Sequence, residues 1–130
     1  MRFEDFSLDP CILAGVRSAG FTLPTPIQEQ AIPVVLQDRD LLGLAQTGTG
    51  KTAAFGIPLA ELIDPAGESV QAIVLVPTRE LAVQVAGELS RICTHRGLRV
   101  AALYGGQSIQ PQIRALHRGV HIAVGTPGRV

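Results

Sequence analysis

The stretch Leu41–Leu59, LLGLAQTGTGKTAAFGIPL, decides the fold because it joins an apolar run, a glycine-rich loop and a helix-like segment in that order. Residues 45–52, AQTGTGKT, fit the relaxed form of the phosphate-binding loop, with Ala45 where the strict pattern has glycine. Lys51 is the only lysine of the chain, and the other ten basic residues are arginines. A single lysine at this place indicates a task that a guanidinium performs poorly.

The residue types of this loop predict a site for a nucleoside triphosphate. Gly48 and Gly50 let backbone amides turn inward around phosphate oxygens, and a helix that begins near Lys51 adds its positive end. Lys51 reaches the β- and γ-phosphates as a compact charge on a flexible stem. Thr52 offers a hydroxyl to Mg²⁺. A glycine-rich turn with a solvated lysine is disfavoured, because an apolar strand precedes the loop and a helix follows it.

Alternating patterns along the chain predict an α/β domain. Helices are expected over residues 9–20, 25–38, 51–63, 79–93 and 108–119, and strands over 40–45, 70–77, 99–105 and 120–125. The β-branched run at 70–77 is typical of a strand covered on both faces. The alternation predicts a mostly parallel sheet flanked by helices.

Composition indicates a globular chain, with 46% apolar residues and no run long enough to span a bilayer. The N-terminal residues MRFEDFSLD carry acids where a signal peptide needs an apolar core, so a cytoplasmic protein is expected. Cys11 and Cys93 lack metal-ligand spacing and are interpreted as buried reduced thiols. His95, His117 and His121 have no carboxylate or cysteine at a useful spacing and are interpreted as surface or packing residues.

Charge is distributed unevenly although the net charge is zero. Residues 1–88 hold all eleven acids and five bases, whereas residues 89–130 hold no acid and six arginines. Such asymmetry is typical of a protein with an anionic partner. The alternative, that acids outside this sequence balance the arginines, is equally open from charge alone.

Four stretches in order carry a family resemblance: GFTLPTPIQ (20–28), AQTGTGKT (45–52), PTRELA (77–82) and TPGR (126–129), with YGG (104–106) before the last. Together they resemble the N-terminal RecA-like domain of a DEAD-box RNA helicase, over Phe3 to Arg129. The resemblance implies a Q-motif region for adenine recognition at 1–29 and a partial RecA-like ATP-binding domain at 30–130. The Asp-Glu-Ala-Asp motif, the Ser-Ala-Thr motif and the second RecA-like domain are not in this sequence.

The resemblance implies that the chain binds ATP with Mg²⁺ in preference to GTP. Gln28 would hydrogen-bond the adenine edge, because an amide offers both a donor and an acceptor. Phe3 would pack on the adenine, and Thr25 would hold the loop. Lys51 and Thr52 are the expected catalytic residues, with Thr52 meeting Mg²⁺ through ATP. The implied nucleotide site comprises Phe3, Thr25, Gln28, Ala45, Gln46, Thr47, Gly48, Thr49, Gly50, Lys51 and Thr52. Without the family, Gln28 and Phe3 are an ordinary helix glutamine and an apolar anchor.

The resemblance also implies RNA contacts in the loops that follow the strands. The implied residues are Pro77, Thr78, Arg79, Gly105, Gly106, Thr126, Pro127, Gly128 and Arg129. Loops that follow parallel strands meet at one edge of the sheet, where ligands gather. Backbone amides, hydroxyls and arginines bind phosphate and do not read base edges, so binding should be largely sequence-independent and sensitive to salt. Of the six late arginines only Arg129 matches a family contact; the others are interpreted as solvated or paired outside this sequence.

The expected activity is that of an ATP-dependent RNA helicase, which closes two RecA-like domains around ATP and RNA and separates short duplexes. No predicted strand ends in Asp or Glu, so this chain alone should bind ATP but hydrolyse it poorly. The alternative is a non-catalytic fragment that binds ATP or RNA. A different P-loop ATPase, such as a DNA translocase, is disfavoured by Gln28 and by PTRELA. No oligomer and no membrane contact are expected.

The sequence ends after a strand and TPGR, with no helix to cover that strand, so it is interpreted as the front part of a domain. In the resembled family a strand that is missing here lies beside the strand of residues 40–45. That segment would then lack a neighbour and expose apolar surface. We expect the isolated chain to be marginally stable or prone to aggregate. A sharp, reversible thermal transition would refute this expectation.

Overall fold

The computed structural model describes residues 1–45, 50–106 and 108–130. Five α-helices and three strands alternate after a short 3₁₀ turn, Phe3–Phe6, and a second 3₁₀ turn, Thr94–Arg96, follows the fourth helix. The elements are α1 (Pro10–Ser18), α2 (Pro26–Leu36), α3 (Lys51–Leu62), β1 (Ala72–Leu75), α4 (Arg79–Cys93), β2 (Val100–Leu103), α5 (Gln110–His117) and β3 (Ile122–Gly125). All five predicted helices are present.

The three strands form one parallel sheet in the order β1-β3-β2, as the alternation predicts. β3 is the central strand, and all four of its residues are buried. Ala72 of β1 and Val100 of β2 both lie opposite Ile122. The crossover through α4 runs outward from β1 to β2, and the one through α5 runs back to β3. Since such crossovers are right-handed, α4 and α5 cover opposite faces of the sheet.

The main core lies between the sheet and the layer of α1, α3 and α4. Ile122 and Val124 are fully buried and point into it. α4 meets them with an apolar stripe at helical spacing, which includes Val85, Leu89 and Ile92. Three helices begin at residues whose side chains accept from a backbone amide of the first turn: Asp9 for α1, Thr25 for α2 and Thr78 for α4.

The predicted strand at residues 40–45 is wrong for the described structure, in which this segment has no strand. Leu42 and Leu44 are each 87% exposed. No described strand pairs with the segment, and an unpaired strand has no partner for its backbone groups. The expectation that 70–77 is covered on both faces is also wrong. Ile73 and Leu75 of β1 are 58% and 60% exposed, because the sheet contacts of α5 lie on β2.

The cysteine prediction is confirmed for one residue and wrong for the other. Cys93 is a buried free thiol, whereas Cys11 is free but exposed. Cys11 is the second residue of α1, and both Pro10 and Cys11 are exposed to solvent. Within the described ranges, no helix is both long and apolar enough to cross a bilayer.

His121 is fully buried, which confirms that it is a packing residue, and His95 and His117 are exposed. The amide of Arg99 donates to Nδ1 of His121 at 3.0 Å. Nε2 therefore carries the proton and donates to the carbonyl of Pro65 at 3.1 Å. The imidazole thus joins the loop before β1 to the start of β2, at the sheet edge away from the predicted ligand loops.

Candidate functional site

Lys51 is the first residue of α3, as the loop pattern predicts. The preceding residue, Gly50, has φ 86° and ψ 28°, in the left-handed region that favours glycine. Glycine has no side chain to accept from the first amides of α3, which are the donors that a phosphate would need. Lys51 is exposed and Thr52 is half-buried. Of the predicted loop, residues Gln46 to Thr49 lie outside the described residues.

The structure brings Thr25, Gln28 and Gly50 together. Gln28 is fully buried. Its Oε1 accepts from the amide of Thr25 at 3.0 Å, and its Nε2 donates to the carbonyl of Gly50 at 3.2 Å. A Cβ on Gly50 would lie 2.5 Å from Nε2 of Gln28 and 3.1 Å from the hydroxyl of Thr25. The start of α2 is thereby joined to the start of α3, and only glycine fits at the junction.

Phe3 lies in an aromatic cluster rather than beside Lys51. It is 3% exposed, and its ring centroid lies 6.3 Å from that of Phe6 and 6.5 Å from that of Phe21. Phe3 borders a cavity of about 430 Å³ together with Leu23. Lys51 borders a different cavity, of about 670 Å³. The two predicted parts of the nucleotide site therefore face two neighbouring cavities, and Phe21 borders both.

The cavity at Lys51 lies between α3, α4 and β1. Gly50, Lys51 and Thr52 line it on the α3 side, and the polar residues Gln84, Glu88 and Arg91 line it on the α4 side. Its walls are mostly apolar and include Val74 and Leu81. It therefore combines apolar walls with an ammonium and uncapped helix amides, an arrangement suited to the phosphate end of a nucleotide.

The predicted RNA loops meet at the carboxyl edge of the sheet. Arg79 begins α4, and Thr78 caps it by accepting from the amide of Leu81 at 3.2 Å. Gly106 has φ 83°, and a Cβ there would lie 3.2 Å from Nη1 of Arg79, so the loops after β1 and β2 touch. The amide of Thr126 donates to the carbonyl of Leu103 at 3.0 Å, which holds the loop after β3 to the end of β2.

Most of the other predicted RNA residues are accessible at this edge. Pro77, Gly105, Pro127 and Gly128 are exposed, and Arg129 is half-buried. The loops after β1, β2 and β3 contain no Asp or Glu, and the nearest carboxylate in sequence is Glu80, in the first turn of α4, which forms an ion pair with Arg79 at 3.8 Å.

Gln112 is a site residue that the sequence did not reveal. It is buried on α5, and its Nε2 donates to the carbonyl of Tyr104 at 3.0 Å. Its Oε1 accepts from Nη1 of Arg129 at 3.4 Å. This amide therefore connects the loop after β2 to the arginine of the loop after β3. A glutamine in a polar helix carries no sequence signal for such a role, because only the fold places it between the two loops.

Carboxylates are scarce at this edge, and the two resolved pKa shifts lie elsewhere. The Arg17 guanidinium, which donates to Glu4 at 2.9 Å, lowers the pKa of that carboxyl. Burial raises the pKa of the Cys93 thiol to about 11. Within residues 1–45, 50–106 and 108–130, no three His, Cys, Asp or Glu residues form a group that could hold a metal ion. Thr52 is therefore the one predicted protein group for Mg²⁺ in that part of the chain.

Comparison with known proteins agrees with this geometry. The profile of the DEAD/DEAH box helicase family matches residues 25–130. The DEAD-box ATP-dependent RNA helicase CshA of Bacillus cereus is 54% identical over 128 residues, which are 98% of this chain and 24% of that protein. The protein of the same name from Streptococcus pneumoniae is 52% identical over 130 residues, all of this chain and 25% of that one. The chain thus spans about a quarter of the length of these relatives.

Solved structures show the same fold. A DEAD box protein from the hyperthermophile Methanococcus jannaschii superposes with a TM-score of 0.92 at 46% identity, covering 99% of this chain and 35% of that one. A hypothetical ATP-dependent RNA helicase from Sulfolobus tokodaii gives 0.83 at 38% identity, covering 94% of this chain and 35% of that one. With a RecA-like parallel sheet, a lysine at the start of α3 and a family profile that covers most of its length, this chain belongs to the DEAD/DEAH box helicase family.

Proposed function

We propose that this chain forms the ATP-binding and RNA-binding part of a cytoplasmic ATP-dependent RNA helicase that unwinds or remodels short RNA duplexes. The observation that carries the proposal is the junction of Gln28 with Gly50, directly before Lys51. It couples the segment expected to read adenine to the helix start expected to hold phosphate. Residues 1–29 would serve adenine recognition, and residues 30–130 would form part of the first RecA-like domain.

On the ATP side, Gln28 uses one of its two N–H groups for Gly50 and one acceptor position for Thr25. The other N–H and acceptor position are the pair that an adenine edge would engage. Engagement requires a local rearrangement, because Gln28 is fully buried. Phe3 would then have to turn one ring face from the aromatic cluster toward the base.

At the phosphate end, Lys51 and the first amides of α3 would bind the β- and γ-phosphates. The half-buried hydroxyl of Thr52 fits Mg²⁺, which takes few protein ligands and keeps water and phosphate oxygens around it. When bound, the ion neutralises charge that develops on the transferred phosphoryl group.

On the RNA side, the loops after β1, β2 and β3 would bind the sugar-phosphate backbone. Arg79 and Arg129 supply charge, and Gly106 and Thr126 supply backbone and hydroxyl groups. Because none of these groups is positioned to discriminate bases, we expect recognition of RNA by backbone and 2′-hydroxyl contacts.

Hydrolysis would need an acid to hold Mg²⁺ and position water, and none follows the described strands. We propose that this acid and the arginines of a second RecA-like domain are supplied from outside these residues. The alternative is a fragment that binds ATP or RNA and turns nothing over. RNA-stimulated ATP hydrolysis by the natural full-length protein distinguishes the two: turnover supports the helicase, and binding without turnover supports the fragment.

The nucleotide site is tested by titrating a fluorescent ATP analogue into Lys51→Ala and Lys51→Arg. The loss of charge-assisted hydrogen bonds should weaken binding by about 10- to 100-fold in Lys51→Ala. Lys51→Arg should also bind more weakly, because a planar guanidinium does not replace a point charge. Arg39→Ala, which removes an exposed cation upstream of the loop, should bind like the natural protein. Unchanged affinity in Lys51→Ala would disprove the proposed site.

A further inference from the structure

The late arginines divide into two groups by their surroundings. Arg96 forms an ion pair with Glu61 at 3.5 Å, and Arg129 donates to Gln112. The others are exposed and have no ion pair with a carboxylate among the described residues: Arg91, Arg99, Arg114 and Arg118. The proposed loops account for Arg129 alone, so these exposed cations still need a partner.

Three of the four arginines lie together at the C-terminal part of α5. Arg114 and Arg118 are four residues apart, which places them on one side of the helix about 6 Å from each other. Arg99, at the start of β2, donates through Nε to the carbonyl of Gly119, the residue after Arg118. We name Arg99, Arg114 and Arg118 the α5 basic face.

Helix-dipole compensation does not account for this face. A cation in the last turn of a helix is favourable, and this describes Arg114. It does not explain why Arg99 joins from a different element, or why residues 89–130 contain no acid. Three neighbouring guanidiniums without carboxylates repel one another, and an anionic partner removes that repulsion.

α5 leads from the loop after β2, where the proposed RNA loops lie, to the residues before β3 at the opposite edge of the sheet. Gln112, near the start of α5, is bonded to Tyr104 and to Arg129. Arg118 lies six residues further along, about 9 Å along the helix axis and about 120° around it from the buried Gln112. A nucleic-acid strand held at the loops would therefore reach the arginines within a few nucleotides.

We propose that the α5 basic face binds the phosphate backbone of RNA that continues beyond the strand-end loops. The proposal rests on the proposed function, since the loops must first hold RNA. It predicts a binding track longer than the loops alone, without base preference. Charge complementarity carries the choice of partner: a row of guanidiniums along one helix suits a regularly charged polyanion.

The test compares two labelled RNA single strands, of about six and about twenty nucleotides, which bracket the upper part of the range of about 4–16 nucleotides typical of single-strand-binding OB folds. Their binding to the natural full-length protein and to Arg114→Gln/Arg118→Gln is measured by fluorescence anisotropy at several salt concentrations. Arg99 is left in place because it also bonds Gly119. Arg2→Gln/Arg17→Gln removes the same charge from the opposite end of the chain and serves as the control.

We expect Arg114→Gln/Arg118→Gln to bind the long RNA several-fold more weakly and the short RNA as before. Loss of two phosphate contacts should flatten the plot of log affinity against log salt by about 1.4 for the long strand. Arg114→Lys/Arg118→Lys should restore most of the slope, because it keeps the charges.

An unchanged slope and affinity for the long RNA would overturn the α5 proposal while leaving the loops in place. In that case an acidic protein segment would be the remaining polyanion. No binding of either RNA by the natural protein would instead refute the proposed function, so the two failures are distinguishable. Equal weakening of both RNAs would also overturn the proposal, because it would place the arginines within the loop site.

Discussion

The sheet and the segment before α3 differ in one respect: the strands β1, β3 and β2 pair, and residues 40–45 do not. Both are apolar runs followed by a glycine or threonine loop. In the sheet, β3 pairs with one strand on each side, and all four of its residues are buried. In the segment, Leu42 and Leu44 point into solvent.

The difference shows that apolar sequence makes a strand only where a partner strand is available. The loops after β1, β2 and β3 are held by bonds such as the one from Thr126 to Leu103. Gly50, directly before Lys51, is held instead from the side of α2, through Gln28. The sheet therefore positions the loops proposed to bind RNA, and helices α2 and α3 position the residues proposed to bind phosphate.

The largest expected effect on the free energy of unfolding comes from removing a side chain of the paired strands. Ile122→Ala deletes a fully buried side chain of the central strand and should lower the free energy of unfolding by about 2–5 kcal/mol. Leu44→Ala deletes an exposed side chain and should change it by less than about 0.5 kcal/mol. Chemical denaturation of the natural full-length protein followed by circular dichroism measures both.

A large loss in Leu44→Ala would mean that residues 40–45 are buried in the natural protein. The segment would then be paired by chain that lies outside this sequence, and the contrast with the sheet would vanish. If Ile122→Ala cost no more than Leu44→Ala, the role of β3 as the central strand would be wrong.

The helices could be predicted from the sequence almost to the residue, because their signals are local. Thr25 and Thr78 are caps, and the apolar positions of α4 recur at helical spacing. The failures concern tertiary context. Whether residues 40–45 pair, or whether Ile73 is covered, depends on neighbours that no local pattern encodes.

The junction between α2 and α3 can be tested at Gly50. Gly50→Ala places a Cβ in the left-handed region and against Nε2 of Gln28, so it should destabilise by about 2–3 kcal/mol. Gly97→Ala is the matched control, because Gly97 has φ 76° with nothing within 4 Å of the added atom. It should cost only the backbone strain, about 1–2 kcal/mol.

The difference between the two alanine variants isolates the contact with Gln28. Affinity for an ATP analogue should fall in Gly50→Ala and stay unchanged in Gly97→Ala. Equal effects of both substitutions on stability and affinity would show that the Gln28 junction contributes nothing to the phosphate end.

The link between the loops after β2 and β3 can be tested at Gln112. Gln112→Ala removes the bonds to Tyr104 and Arg129 and should cost about 1 kcal/mol of stability. RNA affinity should fall, because the loop after β3 loses one of the bonds that position Arg129. Gln110→Ala, on the exposed start of the same helix, should leave RNA affinity unchanged. RNA binding that is identical in the two variants would remove Gln112 from the site.

Gln112 also illustrates how far the site could be predicted. Lys51 and the strand-end loops follow from short motifs whose chemistry is local. The link between Tyr104 and Arg129 joins residues 25 positions apart in the sequence through a third element, and no spacing rule predicts it. Likewise, Phe3 matches the family but packs against Phe6 and Phe21, which only the fold reveals.

The smallest expected effect on stability concerns Cys93, the last residue of α4, which covers the paired strands. Burial raises the pKa of its thiol from 9.0 to about 11, so the folded state keeps the proton where the unfolded state loses it. This contribution to stability is complete below pH 9 and is lost as the pH rises through about 11. At pH 10 the loss should be about 1 kcal/mol.

Denaturation of Cys93→Ala should lack this part of the pH dependence, whereas Cys11→Ala, at an exposed thiol, should retain it. An identical decline above pH 9 in both variants would mean that the thiol opens to solvent without unfolding, and that the layer of α4 over the sheet is looser than its burial indicates.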